Sequence, residues 1–245
     1  GLKTSRGRVP LTPLTSESWY GMVVDHAVSR SVRDTALLLD LTHGADPLSP
    51  YAAREPKGAF TAAAARDPGR LSLAVYRKSP LGLPISAETM EALDTAVALA
   101  REGGHTVEEI DLPYIGRDFI ADFCKSVASA VAGMMRAEAK RVGRPVSGEV
   151  ERATRVLGRL GEMLSAGEVY DAVQRLNATA RQMIEDTARF DAVLMPIIAH
   201  PPLACGAMDP KGADELVENV LDKLHLTGLL RIKSFFGQLM DKSLW

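Results

Sequence analysis

Apolar and polar positions follow two periods along this chain of 245 residues. Leu71-Ser72-Leu73-Ala74-Val75-Tyr76 alternates after a Pro68-Gly69 turn and predicts a strand. A helix is expected from about Ala87 to Glu102, with Met90, Leu93, Ala96, Val97 and Ala100 on one face and Gly103-Gly104 as its stop. His105 to Ile110 reads as a second strand, so this unit has the size of a parallel strand–helix–strand crossover. Upstream, Met22-Val23-Val24 predicts a short buried strand, and Val32, Ala36, Leu37, Leu39 and Leu41 follow helical spacing. Ser29 or Ser31 is the expected cap of that helix and Gly44 its end. Asp46-Pro47 and Ser49-Pro50 mark a loop from Ala45 to Pro56.

Helix-rich sequence runs from about Phe119 to Arg189, with breaks near Gly143–Gly148 and near Ser165. Ser165 and Glu168 have the spacing of a capping box. In the helix they open, Val169, Val173, Leu176, Ala180 and Ile184 form a heptad-like stripe expected to face the core. Asp191-Ala192-Val193-Leu194-Met195-Pro196 predicts a third strand, and Ala213–Leu224 and Leu229–Met240 predict two more helices. Alternation of strands and helices points to an α/β fold with a mixed, mostly parallel sheet flanked by helices. No repeat, low-complexity linker or domain boundary is visible, so one domain is expected, with a helix-rich insertion at roughly 116–189.

Composition narrows the function classes. The net charge is −2, from 29 basic and 31 acidic residues, which argues against a dedicated nucleic-acid or anionic-membrane binder. No run approaches the ~20 apolar residues of a membrane-spanning helix. No apolar leader is visible, so a cytoplasmic protein is the expectation. Cys124 and Cys205 stand far apart and form no C-x-x-C pair, and both are expected as buried thiols.

Generic catalytic motifs are absent. There is no G-x-S-x-G elbow, no phosphate-binding G-x-x-x-x-G-K-S/T loop, no G-x-G-x-x-G after a strand and no H-E-x-x-H. The five histidines are scattered without metal-ligand spacing, so no metal and no cofactor are expected. His26 follows Asp25, but neighbours on a strand face opposite ways, which favours a structural histidine. His200 follows a strand end, where α/β proteins build sites. Lys125 beside Cys124 could lower a thiol pKa, although adjacent helical residues do not share a face.

The opening is more specific. Gly1-Leu2-Lys3-Thr4-Ser5-Arg6-Gly7-Arg8-Val9 is followed by Gly21 to Val28, Arg30-Ser31-Val32-Arg33-Asp34, a leucine-rich helix and Gly44-Ala45-Asp46-Pro47. Phe190-Asp191-Ala192-Val193-Leu194-Met195-Pro196 adds a distant match. This order resembles the amidase signature family just downstream of its catalytic signature, in the branch of the 6-aminohexanoate-cyclic-dimer hydrolases. Thr4 stands where the family has proline, and Asp25-His26-Ala27-Val28 where Gly-Pro is common.

The resemblance implies hydrolysis of small linear or cyclic amides by a serine, a second serine on a cis peptide and a lysine. A base must take the serine proton, and desolvation suits a lysine to that task. It also implies that none of the three catalytic residues lies in this chain, because all precede the Gly-Leu-Lys segment. A fold incomplete at both ends, inactive alone, is therefore expected. Trp19, His26 and Cys124 are the candidate substrate contacts. The implied partner is a small amide, with no nucleic acid and no membrane, and a homo-oligomer stays open. The alternatives are a non-catalytic pseudo-amidase acting as an interaction module, and an unrelated hydrolase using Cys124.

Overall fold

The computed structural model describes residues 1–206 except Leu14, Pro80 and Leu81. The two helices expected beyond Ala213 lie outside the described residues. The chain divides into two compact units, Gly1–Gly69 and Arg70–Trp245.

In the first unit, the helical spacing becomes α1 (Val32–Thr42). Of the two candidate caps, Ser31 is the one used, its hydroxyl accepting from the Asp34 N–H at 3.0 Å. The helix stops at extended His43, before Gly44, whose N–H donates to the Arg8 carbonyl. A five-residue helix, α2 (Phe60–Ala64), has no side-chain cap of its own. Asp40 of α1 supplies one, accepting from the N–H groups of Phe60 and Thr61 at 2.6 and 3.0 Å and from the Thr61 hydroxyl at 2.7 Å. The Thr61 hydroxyl bond is the largest effect holding the Asp40 carboxyl below its ordinary range.

The strand expected at Met22-Val23-Val24 does not form; these residues are irregular. A strand needs a ladder partner, and here the Met22 and Val23 N–H groups turn back to the carbonyls of Trp19 and Ser18.

The second unit carries the sheet: β1 (Ser72–Val75), β2 (Thr106–Glu109) and β3 (Ala192–Leu194), in the order β2-β1-β3, all parallel. Central β1 buries Leu73, Ala74 and Val75, as a strand covered on both faces must. Edge strand β2 exposes Thr106, Glu108 and Glu109. Between β1 and β2 runs α3 (Ala87–Glu102), at the expected bounds. Ser86 caps it and its Leu93 and Val97 pack on Val75, with Val107 and Leu194 at the edge of the cluster.

Between β2 and β3 lie α4 (Arg117–Val142), α5 (Arg152–Met163) and α6 (Ala166–Thr187). Left-handed Gly143 closes α4. The capping box forms as expected, with the Ser165 hydroxyl accepting from the Glu168 N–H and the Glu168 carboxylate accepting from the Ser165 N–H. The heptad stripe of α6 is only half right. Leu176 is buried, but Ala180 is exposed and Ile184 is 68% exposed. A 3.6-residue helix drifts against a seven-residue repeat, and the inward face turns to Ala172, Leu176, Thr179 and Met183.

Candidate functional site

Because the three strands are parallel, their carboxyl ends share one edge of the sheet, where open α/β sheets bind ligands. Beyond β3 the chain runs through Pro196, Ile197 and Ile198, and the Ser86 N–H donates to the Ala199 carbonyl at 2.8 Å. That bond ties the strand exit to the start of α3. Together they line a cleft of about 480 Å³. Its floor is apolar, from Leu93, Leu194, Met195 and Ile197, and its polar groups are Glu88, Thr89 and His200. Ile197 is 92% exposed there. His200, singled out for following a strand end, does line the cleft. Sequence reasoning misses Glu88 and Thr89, though a cap at Ser86 places both in the first turn of a helix beside a strand end.

The neighbouring strand ends carry ion pairs. Lys78 Nζ meets Asp111 Oδ2 at 2.5 Å, and Arg77 meets Asp94 at 2.6 Å. The hydrogen bond to Asp111 holds the Lys78 ammonium above the ordinary lysine range, the opposite of what a proton-accepting lysine needs. Burial, then the Asp111 charge, pushes the adjacent Tyr76 phenol up.

Trp19 and His26 belong to the first unit. Trp19 opens a single 3-10 turn, Trp19–Gly21, in which Trp19 and Tyr20 take φ values of +50° and +57°. Two bulky residues in the left-handed region are costly, and such strain gathers at functional sites. The turn is held by the Gly21 N–H, which donates to Glu17 Oε2 at 2.8 Å and the Ser18 carbonyl at 3.1 Å. Gly21 has φ +76°, and a Cβ on it would lie 2.7 Å from the Tyr51 ring. Gly21→Ala is expected to cost about 2 kcal/mol, read as a lower urea midpoint. A midpoint equal to the parent's would show that the turn tolerates a side chain.

Both ring nitrogens of His26 are buried and without a hydrogen-bond partner among the described residues, as is the Thr4 hydroxyl.

Cys124 lies on α4 in the second unit, half-buried. Burial pushes its thiol above the ordinary range, which disfavours the thiolate a cysteine nucleophile needs. Lys125 turns to Asp122 Oδ1 at 3.1 Å. The expectation of two buried thiols fails for Cys205, which is exposed in a loop.

Asp122 is the one buried carboxylate of α4. Arg175 of α6 binds it with both prongs, Nε to Oδ2 at 2.7 Å and Nη2 to Oδ1 at 2.8 Å. Burial is the largest single effect on its carboxyl and acts upward, yet the bonds and charges of Arg175 and Lys125 together hold it below the ordinary range.

Among the described residues, no group of three or more His, Cys, Asp or Glu is placed to hold a metal ion, and no helix is long and apolar enough to cross a membrane.

Comparison with known proteins bears on the family and the fold. A family model described as Amidase matches residues 1–232. The Mycobacterium tuberculosis protein named "Putative amidase AmiB2" is 32% identical over 218 residues, covering 87% of this chain and 43% of that protein. The 6-aminohexanoate-cyclic-dimer hydrolase of Paenarthrobacter ureafaciens is 29% identical over 172 residues, 65% of this chain and 35% of the relative. The solved structure of a 6-aminohexanoate cyclic dimer hydrolase complexed with substrate superposes with a TM-score of 0.79 at 23% identity, over 87% of this chain and 45% of that one. The chain thus spans less than half the length of the relatives it matches, and its fold corresponds to part of theirs.

Proposed function

Because the chain belongs to the Amidase family, we propose that the protein carrying it hydrolyses the carbon–nitrogen bond of a small linear or cyclic amide. The match of the family model over residues 1–232 is the observation that supports this most.

The reaction proposed is acyl transfer through a serine, assisted by a second serine on a cis peptide and a lysine. None of these is assigned to a residue of this chain. Lys78 is no substitute, since Asp111 keeps it protonated. The catalytic groups are then contributed by the portion of the relatives that this chain does not span, and these 245 residues alone turn over no amide. The chain's own share is substrate binding. Trp19 offers a half-buried indole on a strained turn, His26 two buried ring nitrogens, and Cys124 a half-buried neutral thiol.

The test is hydrolysis of a panel of linear and cyclic amides by a protein that joins this segment to the remainder of an amidase domain, beside the 245-residue chain alone. Turnover by the former only is expected; serine-type amidase activity from the latter would sink the assignment of the catalytic groups. In the active protein, Trp19→Ala, His26→Ala and Cys124→Ala are each expected to raise KM by roughly tenfold with kcat little changed, the mark of lost uniform binding. Unchanged kinetics would return that residue to a packing role.

A further inference from the structure

The two outer strands of the sheet differ in kind. Edge strand β2 reads Thr-Val-Glu-Glu, and its Thr106, Glu108 and Glu109 are exposed. Its carboxylates are engaged, with Arg189 Nη1 donating to Glu108 Oε2 at 2.8 Å and Arg77 Nε standing 3.6 Å from Glu109 Oε2. Charged side chains along an edge keep further strands from adding to it. Outer strand β3 has no such guard. From Ala192 to Ile198 the chain reads Ala-Val-Leu-Met-Pro-Ile-Ile, without a charge. The charged residues beside its start are turned elsewhere. Arg189 serves Glu108, and the Asp191 carboxylate accepts from the Ser72 N–H of β1 at 2.8 Å.

Burial sharpens the contrast. A parallel strand covered on both faces reads as a continuous apolar run. Central β1 fits this, with Leu73, Ala74 and Val75 all buried. By sequence β3 is such an interior strand, but its exposure is that of an outer one. Ala192 is exposed, and Val193 and Leu194 are half-buried. The apolar line continues past Pro196 into Ile197 and Ile198, 92% and 53% exposed. Among the described residues, no strand pairs with the side of β3 that faces away from β1. An apolar outer strand with unpaired N–H and C=O groups is a template for another strand.

We propose that the open edge of β3 takes a further β-strand, apolar in sequence, from the portion of the amidase domain that this chain does not span. The matched segment covers 43% of one relative and 45% of a solved structure, so more than half of such a domain lies outside it. That portion can join the sheet at the uncharged edge, whereas the carboxylates of β2 oppose an addition there. Pro196, which lacks an N–H, sets the far end of the new ladder. The proposal rests on the amidase reading above and adds to it the place where the two portions meet.

The test is hydrogen–deuterium exchange, read on peptides covering β1, β2 and β3, in a protein that joins this segment to the remainder of an amidase domain. Amides of β3 are expected to exchange roughly tenfold or more slowly than those of β2, close to the rate of β1. In the 245-residue chain alone, β1 should stay protected and β3 should lose this protection. Exchange of β3 as fast as that of β2 in the joined protein overturns the proposal. So does a protected β3 in the isolated chain. Protection that survives dilution would mean that the chain's own residues cover the edge, and protection lost on dilution would mean that a second copy does. The comparison of strands within the joined protein decides the matter even if the isolated chain does not fold. The readout needs no turnover. Amide hydrolysis by a joined protein whose β3 exchanges like β2 would overturn the edge pairing alone, and a slow β3 in one that hydrolyses no amide would overturn the amidase reading alone.

Discussion

Gly161→Ala is expected to destabilise the second unit by about 3 kcal/mol, a fall in Tm of roughly 6–12 °C for a body of its size. A Cβ at Gly161 would collide with the Ala128 carbonyl oxygen, and would stand 2.5 Å from that carbonyl carbon and 2.9 Å from Ala132 Cβ. These are backbone and first side-chain atoms of α4, with no rotamer to move them aside. Ala128 is fully buried and Ala132 nearly so, and Leu160 of α5 packs against Ala128 in the same contact. The two helices would have to separate, loosening Val156, Leu157 and Met163 as well. Gly158→Ala is the internal comparison. Its Cβ would meet Met135 Sδ at 2.5 Å, but a thioether on a flexible stem can swing away, so about 1 kcal/mol is expected. Equal stabilities of the two variants, measured by thermal unfolding, would contradict the close approach of α4 and α5 at Gly161.

Removing Arg175 is expected to cost about 2–3 kcal/mol at pH 7. Breaking a buried ion pair typically costs about 3–5 kcal/mol, and the figure is discounted because the Arg175 side chain is 55% exposed. Asp122, with 7% side-chain exposure, would keep Lys125 alone as a partner. The pH dependence follows from the direction of the carboxyl shift. Asp122 ionises more readily folded than unfolded, so its contribution is fully present above the unfolded value of about 3.9 and is lost as pH falls through the lower folded value. Asp122→Asn should therefore be clearly less stable than the parent at pH 7. The gap should shrink below about pH 4 as the parent's carboxyl protonates. Urea unfolding at both pH values checks this. A gap that stays constant into strong acid would assign the loss to shape rather than charge.

The elements read correctly are those with local punctuation. The helix Ala87–Glu102 is read from its apolar face and its Gly103-Gly104 stop, and α6 from the capping box of Ser165 and Glu168. The three strands of the second unit are legible from alternation or short apolar runs beside turn residues. Met22-Val23-Val24 shows the limit, since an apolar run records a preference for burial and not whether a partner strand exists. The contact at Gly158 and Gly161 is equally hidden, because periodicity finds faces but not the distance between helix axes. At the candidate site, His200 is visible from its place after a strand. Glu88 and Thr89 are not, because their relevance comes from an Ala199–Ser86 bond between distant segments. The left-handed pair Trp19-Tyr20 breaks every local preference, and only the fold shows it.

The sheet's connectivity bears on how this unit assembles. Ser72 and Asp191 clasp the start of β1 to the start of β3, the Asp191 carboxylate accepting from the Ser72 N–H at 2.8 Å across 119 residues of sequence. Closing so long a loop slows the search, yet each doubling of loop length costs only about 0.6 kcal/mol at equilibrium. Helix α4 packs against both α5 and α6, so the three can condense before β3 arrives and shorten the gap it must cross. In kinetic terms β3 is then the late strand, whose substitutions should mainly speed unfolding.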